Sequence, residues 1–156
     1  MTSTQQFWQF FKALADAVPG MKTVTRSGGD KMDRLLGSTR SEDIYPATFL
    51  LRPKYSLEEN GAGLVTAWFD ATYYVLCSAQ MGEEADEDSA FDEAERLAST
   101  LSVLIRQQED GYKTLIDPMA KVFMEPIQMV NGEASFGYEV RQRIGLMVNA
   151  EVYADL

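Results

Sequence analysis

Residues 136–152, FGYEVRQRIGLMVNAEV, decide the fold class of this chain of 156 residues. Their even-numbered positions are apolar except for Gln142, while the odd positions include Glu139, Arg141 and Arg143. A period of two is typical of a β-strand with one buried face. The apolar positions are Phe136, Tyr138, Val140, Ile144, Leu146, Val148, Ala150 and Val152. The segment therefore predicts one unusually long strand.

The length of this strand has a structural consequence. At about 3.3 Å per residue the segment would span about 55 Å, whereas a compact chain of this size has a radius of gyration of about 15 Å. We therefore expect the strand either to bend, at Gly145, or to project beyond its own domain. A projecting strand indicates association with neighbouring copies of the chain.

Composition limits the class of protein. The length of 156 residues and the hydrophobic content of 46% predict a single domain over 1–156 with its own core. The net charge of -10, from 14 basic and 24 acidic residues, argues against sequence-specific nucleic-acid binding through a basic surface. The only cysteine, Cys77, lies in an apolar stretch and predicts a buried, inert thiol in a reducing compartment. Residues 1–6 lack a signal sequence, so we expect a cytoplasmic protein without a membrane segment.

Two helices follow from the spacing of apolar residues. The first is predicted over residues 4–18, with Thr4 or Ser3 as N-cap. Its aromatic stripe predicts packing on a sheet as core, or alternatively docking on another subunit. The second is predicted from Ser89 to Glu109, after an acidic lead-in over residues 83–88.

Strands occupy most of the remaining chain. Alternation predicts strands over 44–52, 64–79 and 122–130, and Asn131-Gly132 provides a type I′ turn into the terminal strand. The order α-β-β-α-β-β predicts an α+β domain. Its sheet is expected to be antiparallel-rich and mixed, with four to five strands packed against two helices.

A long polar stretch separates the first helix from the first of these strands. Residues 21–43 are rich in glycine, serine, threonine and charge, and predict a flexible loop. Eight of the 14 basic residues lie between Lys12 and Lys54, so the loop is a basic arm in an acidic protein. It is either solvated and flexible, or becomes ordered on assembly.

The chain carries few of the groups that catalysis uses. There is no histidine, and a lone cysteine cannot form a Cys-Cys zinc site within one chain. Gly61-Ala62-Gly63 lacks the third glycine of a dinucleotide-binding motif, and no phosphate-binding loop motif is present. We therefore assign no catalytic, cofactor-binding or metal-binding residues and expect no enzymatic activity and no cofactor.

One group of acidic residues is a candidate cation site. Asp88, Asp92 and Glu95 would share one face of the second helix and could hold a divalent cation. The alternative is a solvated helix cap that the helix dipole favours. The EF-hand pattern fails because Ala90 stands where a ligand is needed, so we assign no metal.

The order of elements resembles a known family. An aromatic N-terminal helix, the strand segment IYPATFLL at 44–51, a long central strand, the helix at 89–109 and a closing hairpin are arranged as in small tail-terminator or tail-completion proteins of tailed bacteriophages and prophages. The resemblance implies a non-enzymatic subunit that assembles as a ring, often hexameric, at the end of a tail tube or at the head–tail joint. It implies other tail or head–tail proteins as partners, and a bacterial cytoplasm or the virion as location.

Two other hypotheses belong to different classes. The chain could be a small acidic protein-binding module or inhibitor that recognises a basic partner through residues 83–95. An enzyme that uses only carboxylates is the third hypothesis, and it would require paired, buried Asp or Glu side chains in a pocket.

Overall fold

Two long antiparallel strands form the centre of the sheet in the computed structural model, which describes residues 1–27, 41–131 and 133–148. Strand β4 spans Val65–Ser78 and strand β7 spans Glu133–Met147. They pair over nearly their whole length, with Ala71 opposite Gln142 near the middle. The alternation of apolar residues in both segments therefore places one face of each strand on the same side of the sheet.

Shorter strands lie end to end along the outer side of each central strand. Strands β2 (Ala47–Leu51) and β3 (Lys54–Glu59) both pair antiparallel with β4. In the same way, β5 (Thr114–Ile116) and β6 (Phe123–Asn131) pair with β7. Strand β1 (Thr23–Ser27) adds a parallel edge to β2.

The predicted α+β class is confirmed. The described residues form a seven-stranded mixed sheet, and those strands lie in five rows because two of the outer rows are interrupted. One interruption is at Arg52-Pro53 and the other is at residues 117–122. The sequence predicted four to five strands because an interrupted row reads as one strand plus a polar connection.

Two long helices cover one face of the sheet. Helix α1 spans Ser3–Asp16 and helix α3 spans Glu84–Arg106; a single helical turn, α2, spans Ser41–Ile44. The rings of Phe7 on α1 and Phe69 on β4 stack with centroids 4.5 Å apart. The buried cluster also includes Leu97 and Leu101 of α3, so both helices belong to one core with the sheet.

The structure corrects the starts of both helices. The N-cap of α1 is Thr2, not Ser3 or Thr4: its hydroxyl accepts the backbone N–H of Gln5, and the Gln5 side chain accepts the N–H of Thr2. This reciprocal pair satisfies two N–H groups that a helix start leaves open. Helix α3 begins at Glu84, so most of the acidic lead-in is its first turn.

The prediction that the terminal strand outreaches its own subunit is wrong. Strand β7 is interior: β4 covers one side of it, and β6 and β5 cover the other. Because β4 is 14 residues long and β7 is 15, the backbone groups on the facing sides of the two strands find their hydrogen-bond partners within one chain. Gly145 lies beneath the Trp68 ring, and residues 149–152 of the predicted strand lie outside the described residues.

The predicted loop over residues 21–43 is also wrong in part. It contains β1, and α2 begins at Ser41; the interval 28–40 lies outside the described residues. The strand predicted from Ile44 begins at Ala47, after a cis bond between Tyr45 and Pro46. The turn predicted at Asn131-Gly132 falls on a residue outside the described ranges, since Gly132 is not described.

Candidate functional site

Among the residues that the structure describes, only a few cover the face of the sheet opposite α1 and α3. At one end, beneath α2, it holds a small buried cluster. The fully or almost fully buried members of this cluster are Ile44, Tyr45, Ala47, Phe49 and Leu76. Beyond this cluster no part of residues 1–27, 41–131 and 133–148 covers the centre of the face, and charged side chains replace apolar ones there.

A groove of about 640 Å³ crosses this open centre. It lies between the two places where the outer rows are interrupted, so the middles of β4 and β7 form its floor. Six charged residues line it: Arg52, Lys54, Asp70, Lys121, Arg141 and Arg143. We call this site the central groove.

Two guanidinium groups in the central groove are held by carboxylates. Arg141 Nη2 lies 3.0 Å from Glu139 and 3.4 Å from Glu125. The hydrogen bond to Glu139 raises the pKa of Arg141, which keeps this cation charged. The groups are partly exposed, so these pairs fix side-chain position more than they add stability.

Arg143 occupies a more enclosed position. Its guanidinium lies 3.7 Å from Asp70 and 3.6 Å from Asp117, and its carbon Cζ is 5.1 Å from the centre of the Trp68 ring. Its Nε is shielded from solvent; it is the atom that lies 3.6 Å from Asp117 Oδ2, which is too far for a hydrogen bond. The ring contact and the two carboxylates therefore hold the side chain in place without satisfying this N–H.

The other three cations of the central groove are differently placed. Arg52, Lys54 and Lys121 are exposed and make no ion pair with the residues that the structure describes. Five of the 14 basic residues of the chain thus line one groove in a protein of net charge -10. The pattern that could have found this site is the interruption of the apolar run of β4 by Asp70 together with the two arginines, Arg141 and Arg143, on the polar face of β7.

A second exposed feature is the edge strand β3. Within the described residues it pairs only with β4, and every residue from Lys54 to Glu59 is exposed. Tyr55 is 43% exposed and Leu57 is 61% exposed, so apolar side chains border an edge with unpaired backbone groups. Such an edge is a template for pairing with another chain.

The acidic residues singled out in the sequence do not form a cation site. Asp88 and Asp92 are exposed, and Glu95 lies 3.5 Å from the Tyr138 hydroxyl. No group of three or more His, Cys, Asp or Glu residues in the described ranges could hold a metal ion. Two acids at the start of α3 have a local role: Asp86 accepts the N–H of Gln80 and Glu87 accepts the N–H of Gly82.

Cys77 is buried, as predicted, and lies on the helix-covered face of β4. Burial raises the pKa of this thiol from 9.0 to about 12. Because the thiolate is the reactive form, this cysteine is unreactive near neutral pH.

Among the described residues, neither long helix combines the length and the apolar character needed to cross a lipid bilayer. Comparison of the chain with protein-family models and with curated protein sequences found no match.

Proposed function

We propose that this protein is a non-enzymatic assembly subunit that associates with copies of itself into a closed ring. The observation that supports this most directly is the edge of β3, which pairs with β4 alone among the described residues and has Tyr55 and Leu57 exposed beside it. An edge strand with unpaired N–H and C=O groups binds another strand through backbone hydrogen bonds, and apolar neighbours add affinity.

The position of the edges favours a ring over a simple dimer. Strands β3 and β6 lie on opposite sides of the sheet, separated by β4 and β7. A contact between β3 of one copy and a different surface of the next copy is heterologous, and such contacts close into rings when the rotation allows. Strand β7 is paired on both sides and cannot form this interface, so the interface is assigned to β3.

The order of elements supports a more specific assignment. A ring-forming α+β subunit with this order resembles the tail-terminator and head–tail joining proteins of tailed bacteriophages. Its partners would be further copies and other tail or head–tail proteins, in the bacterial cytoplasm or the virion. The negative net charge of -10 would keep a ring lumen from binding DNA that passes through it.

The test is the oligomeric state of the purified chain. We expect sedimentation velocity and electron microscopy to show closed rings, and we expect Leu57→Lys to produce monomers because it places a charge on the β3 edge. The matched control is Val103→Lys. Val103 is 50% exposed on α3, which packs on β4 and β7 rather than on β3, so this variant should still form rings.

Two results would contradict the proposal. A monomer or a two-fold dimer at all concentrations, also when mixed with candidate tail proteins, would remove the ring. Rings that persist in Leu57→Lys would show that β3 is not the interface.

A further inference from the structure

We propose that the central groove binds a small anion that carries two or more phosphate groups. This inference is argued from the groove alone, which lies on the sheet face opposite the two long helices. Lys54 is the one lining residue that belongs to β3, whereas Arg52 and Lys121 lie outside that strand. Its volume of about 640 Å³ falls within the range of pockets that hold small ligands.

The strand register places cations on both walls of the groove. Lys54 on β3 lies opposite Asp70, which lies opposite Arg143, so three strands contribute to one row. On the other wall, Phe123 of β6 lies opposite Arg141. Lys121, two residues before Phe123 in the chain, also lines the groove. Because β4 and β7 separate β3 from β6, the two walls are three strand spacings, or about 14 Å, apart.

The width of the groove favours an extended anion. Because the backbones of the two walls are about 14 Å apart, a chain of two or three phosphates can contact Lys54 and Lys121 at once with more of its oxygens than a single phosphate group can. Each terminal phosphate carries a charge of about -1.5 to -2 near pH 7, and lysine and arginine are the residues that bind it. Such an anion matches the three exposed cations that have no ion pair with the described residues.

The acidic residues around the groove are already engaged by its arginines. Asp70 and Asp117 lie beside Arg143, while Glu125 and Glu139 lie beside Arg141. They position the guanidinium groups and leave Arg52, Lys54 and Lys121 to supply the attraction.

A long nucleic acid is a poorer occupant than a small anion. Its many phosphates would extend beyond the groove onto a protein surface of net charge -10, which repels them. A compact anion contacts only the local cations.

The test is calorimetric titration of the full chain with sodium tripolyphosphate at constant ionic strength. We expect saturable binding with one site per chain, at least about tenfold tighter than binding of orthophosphate. Lys54→Gln and Lys121→Gln should each weaken the binding by about tenfold, because each removes one charge-assisted hydrogen bond. Lys113→Gln is the matched control: it removes the same charge from an exposed site outside the groove and should leave the affinity unchanged.

Four results would overturn the proposal. They are the absence of saturable binding, an equal loss of affinity in Lys113→Gln, tighter binding of citrate, and tighter binding of a single-stranded DNA oligonucleotide. Thermal unfolding of the three exposed lysine variants, measured in parallel, separates a loss of binding from a loss of fold.

Discussion

Replacing Gln142 by leucine tests the packing of the sheet on α3. Gln142 is the polar exception in the alternation of β7, yet it is only 4% exposed. Its Oε1 accepts a hydrogen bond of 3.0 Å from the Tyr73 hydroxyl, and its Nε2 donates to the Ser102 carbonyl at 3.4 Å. Burial raises the pKa of Tyr73, so the hydroxyl stays protonated and remains a donor.

The expected loss in free energy of unfolding comes from the hydrogen-bond donor that the substitution leaves without an acceptor. In Gln142→Leu the side-chain volume changes little, but the Tyr73 hydroxyl, which is 0% exposed, loses its acceptor. An unsatisfied buried hydroxyl costs about 1–3 kcal/mol. The Ser102 carbonyl loses less, since it lies within α3 and can accept the N–H four residues later. We therefore expect Gln142→Leu to lower the free energy of unfolding by about 1–3 kcal/mol.

The assay is urea unfolding of a double-mutant cycle. Tyr73→Phe alone should also destabilise the protein, because it leaves Oε1 of Gln142 unpaired. The double variant should be at least about 1 kcal/mol more stable than the sum of the two single changes predicts, since neither partner remains. Tyr138→Phe, whose hydroxyl lies 3.5 Å from Glu95 near the surface, is the control and should cost less than about 0.5 kcal/mol. Additive single changes would refute the reasoning.

Three other predictions concern the β4–β7 ladder, the thiol and the turn after α3. Gly137→Ala should prevent folding or cost about 3 kcal/mol or more, because its Cβ would lie 1.8 Å from the Val75 carbonyl oxygen. Gly145→Ala should cost less, since its Cβ would meet the movable Trp68 ring at 3.0 Å; equal losses in thermal unfolding would contradict this. Cys77 should react with iodoacetamide at pH 8 on the order of 1000-fold more slowly in the folded chain than in urea. Burial raises the pKa of Cys77 from 9.0 to about 12, so its contribution to stability is present below pH 9 and is lost as the pH rises toward 12. The free energy of unfolding of Cys77→Ala should therefore fall less steeply between pH 9 and pH 12 than that of the unmodified chain. Asp110 accepts the backbone N–H groups of Thr114, Tyr112 and Lys113, which lower its pKa below the usual 3.8. Its contribution to stability is therefore complete well above pH 3.8 and is lost as the pH falls through the lowered pKa, so Asp110→Ala should lower the melting temperature more at pH 7 than in acid. An equal loss at pH 7 and in acid would argue against this role.

The sequence alone was enough to predict the two long helices, both central strands and the α+β class. Each of these elements is long and strongly periodic, so the spacing of apolar residues within the segment is enough to identify its buried face. The buried faces of α1 and α3, with residues such as Phe11 and Leu101, are the faces that the spacing predicted.

The short strands could not be predicted in the same way. Strand β3 alternates between polar and apolar residues over only five positions, from Lys54 to Glu58, and β5 has three residues, so both are too short to give a secure periodicity. Strand β1 lies in a stretch rich in polar residues and pairs with β2 through backbone hydrogen bonds. Backbone hydrogen bonds do not require particular side chains, so the sequence of these short strands predicts loops or turns instead.

The central groove shows the same limit for the site. Lys54 and Lys121 are 67 positions apart in a chain where both read as ordinary surface lysines. Only the pairing of β3 with β4, of β4 with β7 and of β7 with β6 brings them to one groove.

The amino-acid sequence by itself determined which faces of the long elements are apolar, and therefore the two-layer arrangement of helices on a sheet. Tertiary structure decided that β7 lies inside the sheet, that Gln142 is buried against Tyr73, and that cations from distant segments share one groove. The physical reason is that burial periodicity belongs to one segment, whereas strand neighbours and side-chain partners depend on which distant segments pair.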